Sequence, residues 1–418
     1  MNVFKFGGAS VKSGLAVKNV AKIIQEHKND SLLVVVSAMG KTTNMLENLV
    51  EAVFNESKNK QSIFNEIKVF HEEIMAGLVE NSTRYFFEVE NLFIELECQL
   101  DTELSDISYV ELYDRIVPFG ELISTKIINT FLNASGISTR WIDARNFIKT
   151  DQKFSKASVN WYATKELIEK RLKPIVNRQI VVTQGFIGRS SLGLSTTLGR
   201  EGSDYSASIF AYGLDASSVT IWKDVLGVYN ADPKQLDSAE LIPQIGFQQA
   251  IELAYYGASV IHPKTIQPLQ EKQIPLYVKS FVEREFSGTL VSEKNNLELP
   301  SCIIFKDKQA LLDFKTKDFS FIVENHMTHI FQVFSDLGIS VNLIQNSAIS
   351  FRCIVDDEPK LFENLAEIFK DKFSVRVTST HRLLTIYNYT NGAEEKYLED
   401  KKVLLEQKSL ITAQFLFS

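Results

Sequence analysis

Four short segments hold residues whose types and spacing could do chemistry on a phosphorylated ligand. The first is Lys5-Phe6-Gly7-Gly8-Ala9-Ser10. Two adjacent glycines let backbone N–H groups come close to phosphate oxygens, and a helix starting there adds the positive end of its dipole. Lys5 is placed to reach a phosphoryl group in transfer. The same residues also suit a tight strand-to-helix turn beside a solvated lysine. They do not form a P-loop, because Gly-x-x-x-x-Gly-Lys-Ser/Thr is absent. The second segment is Ser37-Ala38-Met39-Gly40-Lys41-Thr42-Thr43-Asn44. Small residues and hydroxyls fit the crevice at the carboxyl end of a buried strand. Thr42 or Thr43 could equally cap the next helix. The third is Gly185-Phe186-Ile187-Gly188, followed by Ser195-Thr196-Thr197-Leu198-Gly199-Arg200-Glu201-Gly202-Ser203-Asp204. Arg200 can grip a carboxylate with two parallel hydrogen bonds. The fourth runs from Trp222-Lys223-Asp224 to Tyr229 and the Asp232-Pro233 turn. A charged pair at a strand end beside an aromatic suits a nucleotide base and ribose; strand termination plus a turn is the plainer reading.

The elements that must position these segments are legible. Residues 2–6 read as a short strand, 12–27 as a helix, and 32–36 (Leu-Leu-Val-Val-Val) as a strand buried on both faces. Residues 44–132 are mostly amphipathic helix. Further buried strands stand at 180–182, 219–222 and 274–278, with a helix at 205–214. Buried strands alternating with helices predict an open, mostly parallel α/β sheet with helices on both faces. The texture changes near Asn295–Pro300, a polar stretch ending in proline. Beyond it come a strand at 309–314, a helix at 326–337 stopped by Gly338, strands at 340–344 and 350–355, a helix at 359–369 and strands within 375–387. That βαββαβ order predicts a small α+β unit. Residues 391–404 read as a charged helix and 411–418 as a last strand. The expected division is therefore 1–295 for one domain, with its helical insertion at about 44–132, and 300–418 for another.

Composition narrows the classes. The chain has 418 residues, 44% hydrophobic and 23% charged, with net charge −7. That gives no reason to expect a nucleic-acid partner or a basic membrane face. No apolar run is long enough for a membrane span, and the start Met-Asn-Val-Phe-Lys lacks a signal-peptide pattern, so a cytoplasmic location is expected. Cys98, Cys302 and Cys353 lie far apart and read as free buried thiols. No metal-ligand spacing is present, and the His326/His329 pair reads as a solvated helix face.

Taken in order over residues 2–292, the four segments resemble the amino-acid kinase family, and within it the aspartokinases. Lys5-Phe-Gly-Gly-Ala-Ser10 is similar to its opening signature, and Phe119-Gly-Glu-Leu-Ile-Ser124 to its Phe-Gly-Glu motif. The sharpest match is Thr196-Thr-Leu-Gly-Arg-Glu-Gly-Ser-Asp-Tyr205. Tyr256-Gly-Ala-Ser-Val-Ile-His-Pro263 resembles a further family segment. The resemblance implies transfer of the γ-phosphate of ATP to the side-chain carboxylate of L-aspartate. It implies that Arg200 holds the α-carboxylate and Glu121 the α-ammonium, with Thr43, Phe186 and Ser203 completing the pocket. Lys5 and Asp204 would be the catalytic pair. Gly7, Gly8 and Ser37 would line the phosphates; Lys223, Asp224 and Tyr229 would hold the nucleotide, with Lys234 and Val260 nearby. Mg²⁺ would be carried on the ATP phosphates, with no metal held by the protein. His262, before Pro263, is expected to be structural.

Three positions depart from the family pattern. Glu201 stands where a glycine is usual, Ser259 where a lysine is common, and Lys234 where an arginine is. Glu201 and Ser259 motivate one alternative, an inactive amino-acid sensor; a kinase for another acidic amino acid is the second. Residues 309–387 resemble an ACT domain, implying a homodimer through these regions. The remaining tail implies a reduced second ACT unit. Asn342, Gln345 and Asn346 are the effector candidates. Asn342 and Ala348 replace acidic residues common in lysine-sensitive relatives, so weak lysine inhibition is expected.

Overall fold

The computed structural model describes residues 1–79, 86–101, 103–258, 261–293 and 299–418. Packing divides the chain into two compact units: residues 1–228, 241–251 and 260–297, and residues 229–240, 252–259 and 298–418. The expected boundary at Asn295–Pro300 lies outside the described residues except for its last two positions. No helix among the described residues is long and apolar enough to cross a membrane.

The first unit is built on an eight-stranded sheet. Its strands are β1 (Asn2–Phe6), β2 (Leu32–Val36), β3 (Thr139–Trp141), β5 (Ile180–Gln184), β8 (Ser218–Lys223), β9 (Gln244–Gly246), β10 (Leu276–Ser280) and β11 (Thr289–Ser292). Their order is β3-β5-β2-β1-β8-β10-β11-β9. Every pairing is parallel except β10 with β11. All five residues of β2 and of β5 are buried, as expected of central strands covered on both faces. Side chains alternate along β1. Phe4 meets His27 at the end of the helix Gly14–Glu26, while Lys5 meets Asp204 on the helix Gly202–Leu214. The sheet is thus layered between helices. A small three-stranded sheet, β4 (Lys149–Thr150), β6 (Ile187–Ser190) and β7 (Ser195–Thr197), shapes the third segment. The helical stretch resolves into Thr42–Phe54, Lys60–Leu78, Phe87–Cys98, Tyr109–Ile116 and Phe119–Ala134. The strands missed by the sequence reading, β3, β4, β6, β7, β9 and β11, have two to four residues each. So short a run carries no readable periodicity.

The second unit is an antiparallel sheet of β12 (Cys302–Thr316), β13 (Val341–Asn346), β14 (Ser350–Asp356), β15 (Phe373–Tyr387), β16 (Val403–Lys408) and β17 (Thr412–Phe417), in the order β13-β14-β12-β15-β17-β16. The helix Glu324–Leu337 and two short turns of helix, Pro359–Phe362 and Leu365–Ile368, complete the βαββαβ order. Strands β12 and β15 are each 15 residues long and pair along both halves, with register shifts around Gln309. One half carries a core of Leu312, Phe314, Phe334, Phe351 and Phe373; the other carries Ile303, Leu384, Ile386, Phe415 and Phe417. Leu343, Ile354, Leu383, Leu405 and Leu416 form a third cluster on the opposite face. The structure corrects the helix expected at 391–404. Only Glu395–Leu398 is helical, and Val403 starts β16. Pairing with β17 buries Leu405 and overrides the helical propensity of a charged stretch. A second correction concerns cysteine: Cys98 is exposed, and only Cys302 and Cys353 are buried.

Candidate active site

Strands β1 and β8 lie side by side in parallel, with Phe6 opposite Trp222. Their carboxyl ends aim two lysines at one carboxylate. Lys5 Nζ is 2.6 Å from Asp204 Oδ1, and Lys223 Nζ is 3.4 Å from Asp204 Oδ2. Asp204 sits in the first turn of the helix Gly202–Leu214 and is only 3% exposed. Burial alone would raise its carboxyl; the two ammonium groups outweigh burial and hold it below the ordinary carboxylate range.

Small residues surround this cluster. The Lys5 ammonium lies over Gly7, where a Cβ would sit 3.4 Å from Nζ. A Cβ on Gly8 would come within 2.8 Å of the Ala38 carbonyl oxygen and 2.9 Å of that of Gly40, so only glycine lets the two loops touch. Gly40 N–H donates to the Gly8 carbonyl, and Ser37 N–H to that of Phe6. Gly7, Gly8 and Ser37 are thereby gathered beside Lys5. Thr43 is half-buried in the first turn of the helix Thr42–Phe54. Neither threonine caps that helix: the cap position is Lys41, and the Thr42 hydroxyl donates to the Met39 carbonyl instead.

Glu121 enters from the helix Phe119–Ala134. Its Oε1 accepts the Ala38 N–H at 3.2 Å, and Oε2 is buried without a partner among the described residues. Burial pushes its carboxyl up to about 8, against the Ala38 N–H and the charge of Lys5. A buried carboxyl of this kind favours its neutral form, and a positive charge brought beside it favours the ionised one.

The third segment is interlocked with the helix Gly202–Leu214. Phe186 has φ 69°, donates its N–H to Ser206 Oγ at 2.8 Å and accepts the Leu198 N–H. A Cβ on Gly185 would strike Ser203 at 2.6 Å, and one on Gly202 would strike the Phe186 ring at 2.7 Å. Arg200 is exposed. Glu201 has φ 53°, the left-handed region where glycine is at ease and other residues pay roughly 1–2 kcal/mol. Its Oε2 is buried without a partner among the described residues. His262 Nδ1 accepts the Lys264 N–H at 3.1 Å and caps the helix Pro263–Glu271.

Residues 1–280 match the family model for the amino acid kinase family. The chain belongs to that family. Within it, the lysine-sensitive aspartokinase 3 of Escherichia coli is 34% identical over 356 residues, covering 85% of this chain and 78% of that protein. The chloroplastic aspartokinase 1 of Arabidopsis thaliana is 31% identical over 367 residues, covering 85% and 63%. The crystal structure of E. coli aspartokinase III with aspartate and ADP has a TM-score of 0.86 at 29% identity, covering 100% of this chain and 96% of that one. The same enzyme with lysine and aspartate gives 0.84 at 30%, covering 100% and 95%. These relatives place the chain on the aspartokinase branch of the amino acid kinases.

Against that family background, the first unit brings together Lys5, Gly7, Gly8, Ser37, Glu121, Asp204 and Lys223. Asp224 is exposed just past the end of β8. The Trp222 ring is core, stacked 6.0 Å from Phe6 with planes 5° apart. Tyr229 and Lys234 fall in the second unit, where Lys234 is exposed. Val260 and Ser259 lie outside the described residues. Asn342 is fully engaged: it donates to Gln309 and Asp356 and accepts from Lys306 at 2.8 Å. Gln345 donates to the Glu406 carbonyl, and Asn346 is exposed. One residue beside the site escaped the sequence reading. Asp114 bonds to Ser155 and Thr197, 41 and 83 residues along the chain, distances at which no local pattern signals a partner.

Proposed function

We propose that this chain is an aspartate kinase, forming 4-phospho-L-aspartate from ATP and L-aspartate for amino-acid biosynthesis. The observation that carries the proposal is the Lys5–Asp204–Lys223 cluster beside Gly7-Gly8, at the carboxyl ends of adjacent parallel strands. Open α/β sheets bind ligands at such ends. Gly7, Gly8 and Ser37 line the ATP phosphates, with Lys223 and Asp224 toward the rest of the nucleotide. Tyr229, Lys234 and Val260 are assigned there on the family resemblance. Mg²⁺ comes with ATP as part of the substrate, and Asp204, already compensated by two lysines, is not left free to bind it.

Arg200 holds the α-carboxylate of aspartate and Glu121 its α-ammonium, with Thr43, Phe186 and Ser203 completing the pocket. The β-carboxylate is the nucleophile. It is ionised at neutral pH, so no general base is needed, and catalysis reduces to alignment and charge stabilisation. Asp204 aims the Lys5 ammonium, which neutralises the phosphoryl oxygens as charge shifts onto the leaving group.

The regulatory role belongs to the second unit, as an ACT region with a reduced second half that pairs with another copy. Phe319, Phe321, Val323 and Phe331 are exposed there, in support of a partner surface. Asn342, Gln345 and Asn346 remain the effector candidates of this reading. A cytoplasmic location without nucleic-acid or membrane partners completes it, supported by the net charge of −7. The decisive assay traps acyl phosphate with hydroxylamine in the presence of ATP and either aspartate or glutamate. Hydroxamate from aspartate well above that from glutamate is expected; none from aspartate refutes the proposal.

A further inference from the structure

We infer that Asp114 is a positioning residue for aspartate binding, a buried carboxylate that fixes the two loops carrying and backing Arg200. The inference rests on the role proposed above for Arg200. Asp114 lies on the helix Tyr109–Ile116 and is fully buried. Its Oδ2 accepts the N–H of Ser155 at 3.0 Å and the N–H of Thr197 at 2.9 Å. Its Oδ1 accepts the Thr197 hydroxyl at 2.7 Å. Among the described residues no lysine or arginine forms an ion pair with it. A buried carboxylate without a countercharge is costly to keep. Burial accordingly pushes the carboxyl above its ordinary range, against the three hydrogen bonds. The feature persists because three donors, two from Thr197 at the end of β7 and one from the Ser155 loop, converge on one side chain.

Both loops bear on Arg200. Thr197 ends β7, three residues before the arginine. Its carbonyl accepts the Ala157 N–H at 2.9 Å, and the next residue, Leu198, donates to Phe186. Ser155 has φ 62°, an uncommon conformation for a residue other than glycine. The loop around it lies alongside Gly199: a Cβ there would be in ordinary contact, 3.4 Å from the Ser155 carbonyl oxygen and 3.4 Å from Lys156 Cγ. Asp114 anchors both sides of this contact. The Arg200 guanidinium is exposed and has no hydrogen bond or ion pair among the described residues, so its backbone anchor sets where it can reach. A loop that must be preorganised for a bidentate grip loses affinity when its anchor is cut.

The test is steady-state kinetics on the full chain. Asp114→Ala should raise KM for aspartate about tenfold or more while KM for ATP stays within about threefold. Asp114→Asn should recover most of that loss. Its amide oxygen can accept both N–H groups, and its NH₂ can donate to a rotated Thr197 hydroxyl. Thr197→Val removes only the hydroxyl donor. It should raise the aspartate KM about threefold or more, again sparing ATP, and it serves if Asp114→Ala does not fold by circular dichroism. An unchanged aspartate KM in the folded variants, or equal rises for both substrates, overturns the inference. Arg200→Ala is measured alongside. If it leaves the aspartate KM untouched, the role of Arg200 fails first. If it raises that KM and the Asp114 and Thr197 variants do not, the positioning role alone fails.

Discussion

Lys5 is held by Asp204 and lies over Gly7, so its charge is fixed before any ligand arrives. Replacing it with methionine should lower kcat on the order of 10²-fold while changing nucleotide affinity far less, because its charge matters most as the phosphoryl group moves. A kcat within about threefold of the parent would place phosphoryl stabilisation elsewhere. Glu121 makes a pH prediction. Its carboxyl holds its proton to about 8 in the folded protein, against an ordinary value of 4.5. The proposed complex sets it against an ammonium group, which favours the charged form. Aspartate binding should then expel a proton, and the aspartate KM should fall from about pH 6.5 to about pH 8 before levelling. Stability runs the other way. The folded state keeps the proton longer than the unfolded chain, so this group lowers stability as pH rises from about 4.5 to about 8. Calorimetry in two buffers of different ionisation enthalpy counts the proton, and Glu121→Gln should flatten the profile. An aspartate KM independent of pH over that range would count against the pairing. Residues such as Lys5, Gly7 and Gly8 were legible because they are contiguous at a strand end. Asp204 needed the family motif to join Lys5 across the chain. Asp114 was not legible at all, because its partners are defined only once the fold has formed.

At the scale of elements, the central strands announced themselves because both faces are buried and their sequences are continuously apolar. The register that brings Lys5 and Lys223 to one carboxylate could not be read, because a parallel pairing leaves no local mark. The helix expected at 391–404 ran into the start of β16 for a related reason: Val403 and Leu404 carry no local mark of the strand until β17 supplies a ladder. Strand β13 carries the effector prediction. Asn342 Oδ1 already accepts the Lys306 ammonium, and both its amide hydrogens go to Gln309 and Asp356. A ligand ammonium arriving at this point would meet a neutral, satisfied amide with the Lys306 ammonium beside it and an Asp356 carboxylate already bonded to Asn342 and Gln309, and Ala348 adds no further carboxylate. Lysine should therefore inhibit weakly, although an E. coli relative is lysine-sensitive. Titration with lysine, threonine and methionine at subsaturating aspartate checks this. Half-inhibition by lysine below about 1 mM, equivalent to about −4 kcal/mol of binding, would be incompatible with this arrangement.

On the scale of the molecule, the catalytic unit is assembled from three stretches of chain and the second unit from three others. The sequence showed a change of texture near residue 300, but not that residues 229–240 and 252–259 pack with residues 298–418. Segments that leave one unit and return to it carry no compositional mark. Within the second unit, β17 covers the edge of β15 from Arg382 to Tyr387, and β16 covers β17. Deleting residues 403–418 should therefore leave a long, apolar, unpaired edge and strip Phe415 and Phe417 from their core. The shortened chain should form large particles by light scattering at concentrations where the parent does not. A monodisperse truncated protein would show that this edge is covered by something else. The long strands β12 and β15 have a consequence for inheritance. Each threads both cores, but only the core of Ile303, Leu384 and Phe415 is encoded in separated pieces of the gene; the core of Phe314 and Phe334 lies within residues 310–377. A recombination event that swapped this discontinuous core for a homologue's would have to exchange Ala231 and residues 302–306, 383–387 and 412–417 together. A single crossover inside this region yields mismatched halves, and variation here is expected to accumulate by point substitution rather than by shuffling.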